Sequence, residues 1–239
     1  MERVELLYSA GSNDYLAYHV KSKGKIRILM FPDWQGCETV SARRLAEYYA
    51  SSCDAEVILT DVYGKDRRPR SDDQADRVIT QSLDNPFDTR ELLKNIFFSL
   101  ETHWYSIGPL FIVGFCFGGS LAFEFGRAEL PATGVVSVHG QPDSRQPATG
   151  LGKKPAFLML HGAEDPFITD TSLNLFMGEM RRINADWSVY FLGGAKHSFT
   201  RNDIPVGNPY MGYNKKADEE AVLALKIMSE RLLTEKTKS

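Results

Sequence analysis

Leu110-Phe111-Ile112-Val113-Gly114-Phe115-Cys116-Phe117-Gly118-Gly119-Ser120 joins a continuous apolar run of strand length to a Gly-x-Cys-x-Gly-Gly turn, and a helix is predicted over 118–128. The arrangement is that of a nucleophile elbow with cysteine in place of serine. In such an elbow the nucleophile sits on a strained strand-to-helix turn, and the residues two before and two after it approach closely. Both must therefore be small, as Gly114 and Gly118 are. The positive end of the following helix then faces Cys116 and favours its thiolate. The Phe117 N–H is placed to donate to an oxyanion. Cysteine is also among the most often buried residues, so a structural thiol in a Gly-rich turn is the alternative. Gly114, Gly118 and Gly119 do not spell the dinucleotide fingerprint, and no Walker pattern occurs.

Working outward, the pattern of short apolar runs and longer amphipathic stretches continues in both directions. Strands are predicted at Glu56–Thr60, Gly134–Val138, Ala156–Leu160 and Trp187–Leu192. Helices are predicted at Val40–Ser52, Arg90–His103, Ser172–Ile183 and Lys216–Leu233, each with an apolar stripe at helical spacing. Leu16–Val20 and Ile26–Phe31, separated by Lys21–Lys25, read as an opening antiparallel pair. Continuous apolar strands alternating with helices imply a doubly wound, mostly parallel sheet covered on both faces. Two segments stand outside this scheme. Tyr63–Phe87 is rich in Arg, Asp and Pro and reads as aperiodic, and Asn202–Asn214 carries Pro, Gly and Tyr. Loops of that length in a compact domain are usually functional.

A cysteine nucleophile of this kind needs a base, usually histidine. Of His19, His103, His139, His161 and His197, the first two lie away from the carboxyl ends of central strands, where open α/β sheets place their sites. His139 and His161 end strands. His197 follows the last strand in Gly193-Gly194-Ala195-Lys196-His197, which is the best place for the base. The chain order nucleophile, acid, histidine asks for a carboxylate in a loop between Cys116 and His197. Glu164 and Asp165 compete for it, and Asp165 is preferred because Pro166 stiffens its turn.

The 239 residues carry 28 Lys plus Arg and 31 Asp plus Glu, a net charge of -3. A general nucleic-acid binder would carry a basic field instead. A chain of this length buries roughly 70–75% of its unfolded surface and needs no disulfide or metal to fold. Three cysteines cannot form a complete set of intramolecular disulfides. Met1–Glu5 lacks the basic-then-apolar order of a signal peptide, and no apolar run approaches membrane-spanning length. The expectation is a cytoplasmic monomer with reduced thiols, no nucleic-acid or membrane partner, and no metal, since the His-x-x-x-His and mixed Cys/His clustering of zinc sites is absent.

The chain resembles the dienelactone hydrolase family, cysteine members of the α/β-hydrolase fold, over nearly its whole length. The resemblance rests on Gly114–Gly119, on His161-Gly162-Ala163-Glu164-Asp165-Pro166-Phe167 and on His197-Ser198-Phe199-Thr200-Arg201. Asp61-Val62-Tyr63-Gly64 and Tyr213-Asn214 with Ala217 and Asp218 add to it. It implies one α/β-hydrolase domain over residues 1–239, with Cys116 as nucleophile, His197 as base and Asp165 as orienting acid. The family's thiol-activating Glu falls at Asp33 in Phe31–Gly36, one methylene shorter. The Trp34 N–H becomes the second oxyanion donor beside Phe117. Arg201 matches a position that binds the substrate carboxylate, while the family's second carboxylate-binding arginine has no clear match among Arg67, Arg68, Arg70 and Arg77. Tyr63 and His139 are expected to line the substrate pocket with Trp34, Phe115 and Phe117. The implied activity is hydrolysis of a small ester or enol-lactone through an acyl-enzyme, without cofactor. A thioesterase or general carboxylesterase on the same fold, or a non-catalytic scaffold, is the alternative.

Overall fold

The computed structural model describes residues 1–65, 67–152 and 154–236, the last of these without its side chain. Asp66, within the segment Tyr63–Phe87, lies outside them. Eight strands form one sheet in the order β1-β2-β4-β3-β5-β6-β7-β8. They are β1 (Glu2–Ala10), β2 (Asn13–Lys21), β3 (Ile26–Phe31), β4 (Ala55–Thr60), β5 (Leu110–Phe115), β6 (Gly134–Val138), β7 (Ala156–Gly162) and β8 (Trp187–Leu192). From β4 across to β8 every pairing is parallel, while β1 and β2 are antiparallel additions at one edge.

The central strands are near-continuous apolar runs because both faces of the sheet are covered. Ile28, Met30, Val57, Val113 and Val136 pack against α1 (Val40–Ser52) and α6 (Lys215–Lys236). The alternate residues Leu29, Phe31, Ile58, Ile112 and Met159 face α3 (Pro86–Leu100), α4 (Phe117–Arg127) and α5 (Asp170–Arg182). Period-two side-chain alternation thus supplies two cores from one set of strands. Helix starts are fixed locally: Thr39 and Thr169 accept from the N–H groups of Ala42 and Ser172.

The opening pair differs from expectation. The antiparallel partner of β2 is β1, through a turn at Gly11 (φ +61°), and β4 lies between β2 and β3. The short linker after β2 is tied to the start of β4, with Ser22 Oγ donating to the Ala55 carbonyl and Lys25 N–H to that of Asp54. This leaves β3 in the buried centre between β4 and β5, the place its unbroken apolar run suits. Tyr63–Phe87 is not irregular throughout, because it contains α2 (Asp72–Asp84). That helix buries only Ala75, so its apolar stripe is thin. The carboxyl ends of β3, β5, β6, β7 and β8 all open on one edge of the sheet, as a doubly wound fold requires of its site.

Candidate active site

Cys116 follows β5 with φ +53° and ψ −119°, a conformation costly for a non-glycine residue. A Cβ on Gly114 would run into the carbonyl of Gly118, and one on Gly118 into those of Phe31 and Pro32. Both glycines are therefore needed where the turn folds back against β3. The Cys116 carbonyl accepts from Gly119 and Ser120 N–H groups, so Cys116 caps α4 and its thiol lies at the positive end. Cys116, His139 (φ +44°) and Ser198 (φ +55°) meet at this edge. Asp54, Glu129 and Asn184, also at positive φ, each follow a helix end, where such a conformation is ordinary.

His197 comes from the turn after β8. Its Nε2 lies 3.2 Å from Cys116 Sγ and its Nδ1 2.7 Å from Asp165 Oδ2. Asp165 follows β7, its side chain fully buried, with its other oxygen accepting the Phe167 N–H at 2.9 Å. That bond fixes the carboxylate, and the carboxylate fixes the imidazole. The Phe167 and His139 rings pack edge-on against His197 at 5.1 and 5.2 Å. Burial works against a charge on His197, but the neighbouring Cys116 and Asp165 outweigh it and lift the imidazolium to about 10.

The Phe117 and Trp34 N–H groups have no protein acceptor among the described residues. The Cys116 N–H, by contrast, is shared between the Val138 carbonyl (2.9 Å) and His139 Nδ1 (3.1 Å). Thiol, imidazole and Trp34 open onto a cavity of about 580 Å³. Its far wall is α2, through Ala75, Ile79 and Leu83, and Phe167, Ile204 and Met211 close the rim. Among the described residues no group of three His, Cys, Asp or Glu side chains is arranged to hold a metal ion, and no helix is long and apolar enough to cross a membrane.

Residues 15–230 match the model of the dienelactone hydrolase family. The chain belongs to the dienelactone hydrolase family. A protein of Saccharolobus solfataricus named "Putative carboxymethylenebutenolidase" is 34% identical over 110 residues, which are 46% of this chain and 39% of that protein. A solved structure titled "m3DLH" superposes with a TM-score of 0.88 at 23% identity, covering 97% of this chain and 98% of its own. The dienelactone hydrolase-like promiscuous phosphotriesterase P91 from metagenomic libraries superposes at 0.85 with 25% identity and the same coverage. The sheet order and the elbow at the end of β5 are those of the α/β-hydrolase fold.

Of the residues the family resemblance points to, Cys116, His197 and Asp165 come together in one hydrogen-bonded line. Trp34, Phe117, His139 and Arg201 line the cavity, and Tyr63 and Phe115 are not in its wall. Asp33, at the family's acid position, accepts the Gln35 N–H at 2.9 Å and lies 3.4 Å from Arg201 Nη1. It makes no hydrogen bond to the thiol among the described residues, because a short side chain next to a guanidinium turns to that charge. Burial, against the pull of Arg201, pushes its carboxyl above the usual range. His139 is fully buried and underpins the elbow, with Nε2 3.0 Å from Thr200 Oγ1; burial holds its imidazole neutral. The Tyr63 hydroxyl donates to the Trp34 carbonyl at 3.0 Å and its ring stacks on Phe117, so it braces the Trp34 and Phe117 segments against each other. Arg201 does line the cavity, but its nitrogens face Asp203 and Asp33. Glu164 is exposed, and His161, its Nδ1 buried without a partner, packs on Phe191 away from the thiol.

The contribution of α2 escaped the sequence analysis. Its signals were local ones: Ser71 accepts the Gln74 N–H while the Gln74 side chain accepts the Arg70 N–H, and Ala75, Ile79 and Leu83 recur every four residues. Thr200 and Asp203 carried no such signal, since both act through distant or irregular contacts.

Proposed function

We propose that the chain hydrolyses small esters or lactones by a cysteine acyl-enzyme route, with Cys116, His197 and Asp165 as triad. The observation that carries this is the unbroken line from Asp165 through His197 to Cys116, 2.7 and 3.2 Å, at the wall of a cavity wide enough for a small substrate.

His197, lifted to about 10 and 3.2 Å from the thiol, is placed to hold the proton that Cys116 gives up as it becomes the nucleophile. The thiolate attacks the carbonyl carbon; a C–S bond forms and the carbonyl oxygen gathers the charge. The N–H groups of Phe117 and Trp34 receive that oxyanion. On collapse the C–O bond of the ester breaks, and His197 gives its proton to the departing alkoxide. In a lactone that alkoxide stays attached as the far end of the ring-opened acyl chain. His197, now neutral, takes a proton from water, whose oxygen attacks the thioester. The C–S bond breaks, releasing a carboxylic acid and restoring the thiolate–imidazolium pair. Asp165 keeps the imidazole oriented and stabilises its charge throughout.

Such chemistry needs a free thiol, consistent with a reducing cytoplasm, and every group it uses comes from one copy of the chain, consistent with a single-domain monomer. The test is Cys116→Ala assayed on p-nitrophenyl acetate and on a panel of small lactones. Loss of turnover on all of them is expected. Turnover equal to wild type would exclude the mechanism.

A further inference from the structure

Arg201 is the only Lys or Arg side chain in the wall of the cavity among the described residues. Its Nε and Nη2 make a two-pronged contact with the Oδ1 and Oδ2 atoms of Asp203, at 3.0 and 2.7 Å. Its Nη1 is 3.4 Å from Asp33 Oδ2. A guanidinium fork fits one carboxylate in this way, and here a carboxylate of the chain itself already holds it. No other arginine stands in reserve. Arg68 pairs with Glu38, the Arg77 Nε donates to the Asp73 carbonyl, and neither Arg67 nor Arg70 reaches the wall. Asp72 and Asp76 of α2 also line the cavity, with Ile79, Leu83 and Ile204. The Arg201 contact also holds the Asp203 carboxyl below its usual range, so it stays ionised at neutral pH.

A substrate carboxylate entering this cavity meets no Lys or Arg side chain without a carboxylate partner, and the protonated His197 is already engaged by Asp165 and Cys116. It must displace Asp203 from Arg201 or lie beside other carboxylates, and like charges brought together repel. We propose that Asp203 is the specificity-determining residue of the site. As a half-exposed carboxylate of the chain itself it occupies Arg201, so the site takes uncharged esters and lactones and rejects those bearing a carboxylate. The assignment deepens, and as a statement about substrates rests on, the ester hydrolysis proposed above. It also replaces the expectation that Arg201 grips a substrate carboxylate.

The experiment compares kcat/KM of the full-length protein for p-nitrophenyl valerate and for mono-p-nitrophenyl glutarate, esters of matched chain length that differ in terminal charge. Wild type is expected to favour valerate by about tenfold or more. Asp203→Asn should raise the glutarate-to-valerate ratio by about tenfold, and Arg201→Gln added to it should remove the gain. A wild type that prefers the glutarate ester, or a folded Asp203→Asn variant with an unmoved ratio, overturns the assignment. Absence of turnover on both esters would instead overturn the hydrolase proposal. Calorimetric titration with free glutarate then decides the charge assignment by itself: binding to Asp203→Asn but not to wild type supports it, and any other pattern overturns it. The same titration stands in if a variant is folded but inactive, and Asp203→Ala replaces Asp203→Asn if the latter does not fold.

Discussion

The Nε2 atom of His197 lies 3.2 Å from the Sγ atom of Cys116, while its Nδ1 is held by the buried Asp165. Thiol and carboxylate together keep the imidazole protonated to about pH 10 against the cost of burial. The folded-state value lies above the ordinary 6.5, so the stabilisation from this proton is complete below about pH 6.5 and lost as pH rises through about 10.

In the proposed route the same proton serves the leaving group, so kcat/KM for a neutral ester should fall on its alkaline side near pH 10, after correction for spontaneous hydrolysis. Asp165→Asn removes one of the groups that raise His197, and its alkaline limb should move to lower pH with kcat reduced about 10²-fold or more. An unmoved limb would separate Asp165 from His197.

Cys37 and Cys53 are buried, and burial pushes both thiols up to about 12. Iodoacetamide at neutral pH should therefore modify Cys116 well before either, as peptide mapping over time will read. Equal, slow labelling of all three is the result expected of a non-catalytic scaffold.

His139 supports the elbow from beneath, accepting the Cys116 N–H on one side and meeting Thr200 Oγ1 on the other. Thr200→Val keeps the shape but leaves His139 Nε2 buried without a partner, a loss of about 1–3 kcal/mol by denaturant unfolding. Because the defect acts on the turn that holds Cys116, the proposed nucleophile, kcat should fall more than KM rises.

Gly118→Ala would push a methyl group into the carbonyls of Phe31 and Pro32, at the start of the loop that carries the Trp34 N–H. Misplacing an oxyanion donor by about 1 Å costs on the order of 10²-fold in rate. Near-wild-type kcat in a folded Gly118→Ala variant would remove Trp34 from the oxyanion site.

Away from the site, Arg127 is buried between Glu124 (3.0 Å) and Glu179 (2.8 Å), its side chain 1% exposed. Removing one partner from such a group leaves uncompensated buried charge. Arg127→Met should lower the unfolding free energy by about 3–5 kcal/mol, read by urea titration.

The sequence carried the site wherever a strand end fixed it. Gly114 and Gly118 announced the elbow because only glycine fits their contacts, and Asp165 and His197 followed from strand order. The central parallel strands were legible for the same reason, since burial on both faces leaves an unbroken apolar run. The β1 strand was not, because as a half-exposed edge it mixes charged and apolar residues. Nor was α2, whose burial is limited to Ala75. Side-chain partnerships were least legible. Arg201 looked available from its position in the chain, and only its geometry puts Asp203, two residues on, into its fork.

The central claim is that Cys116 carries the acyl group. Its most direct test is to mix the protein with p-nitrophenyl acetate, quench in acid during turnover and map the peptides by mass spectrometry. One acetyl group on the peptide containing Cys116, absent from Cys116→Ala, is the predicted result. Continued release of p-nitrophenolate with no acetyl on Cys116, or with acetyl on another residue that Cys116→Ala retains, would contradict the account.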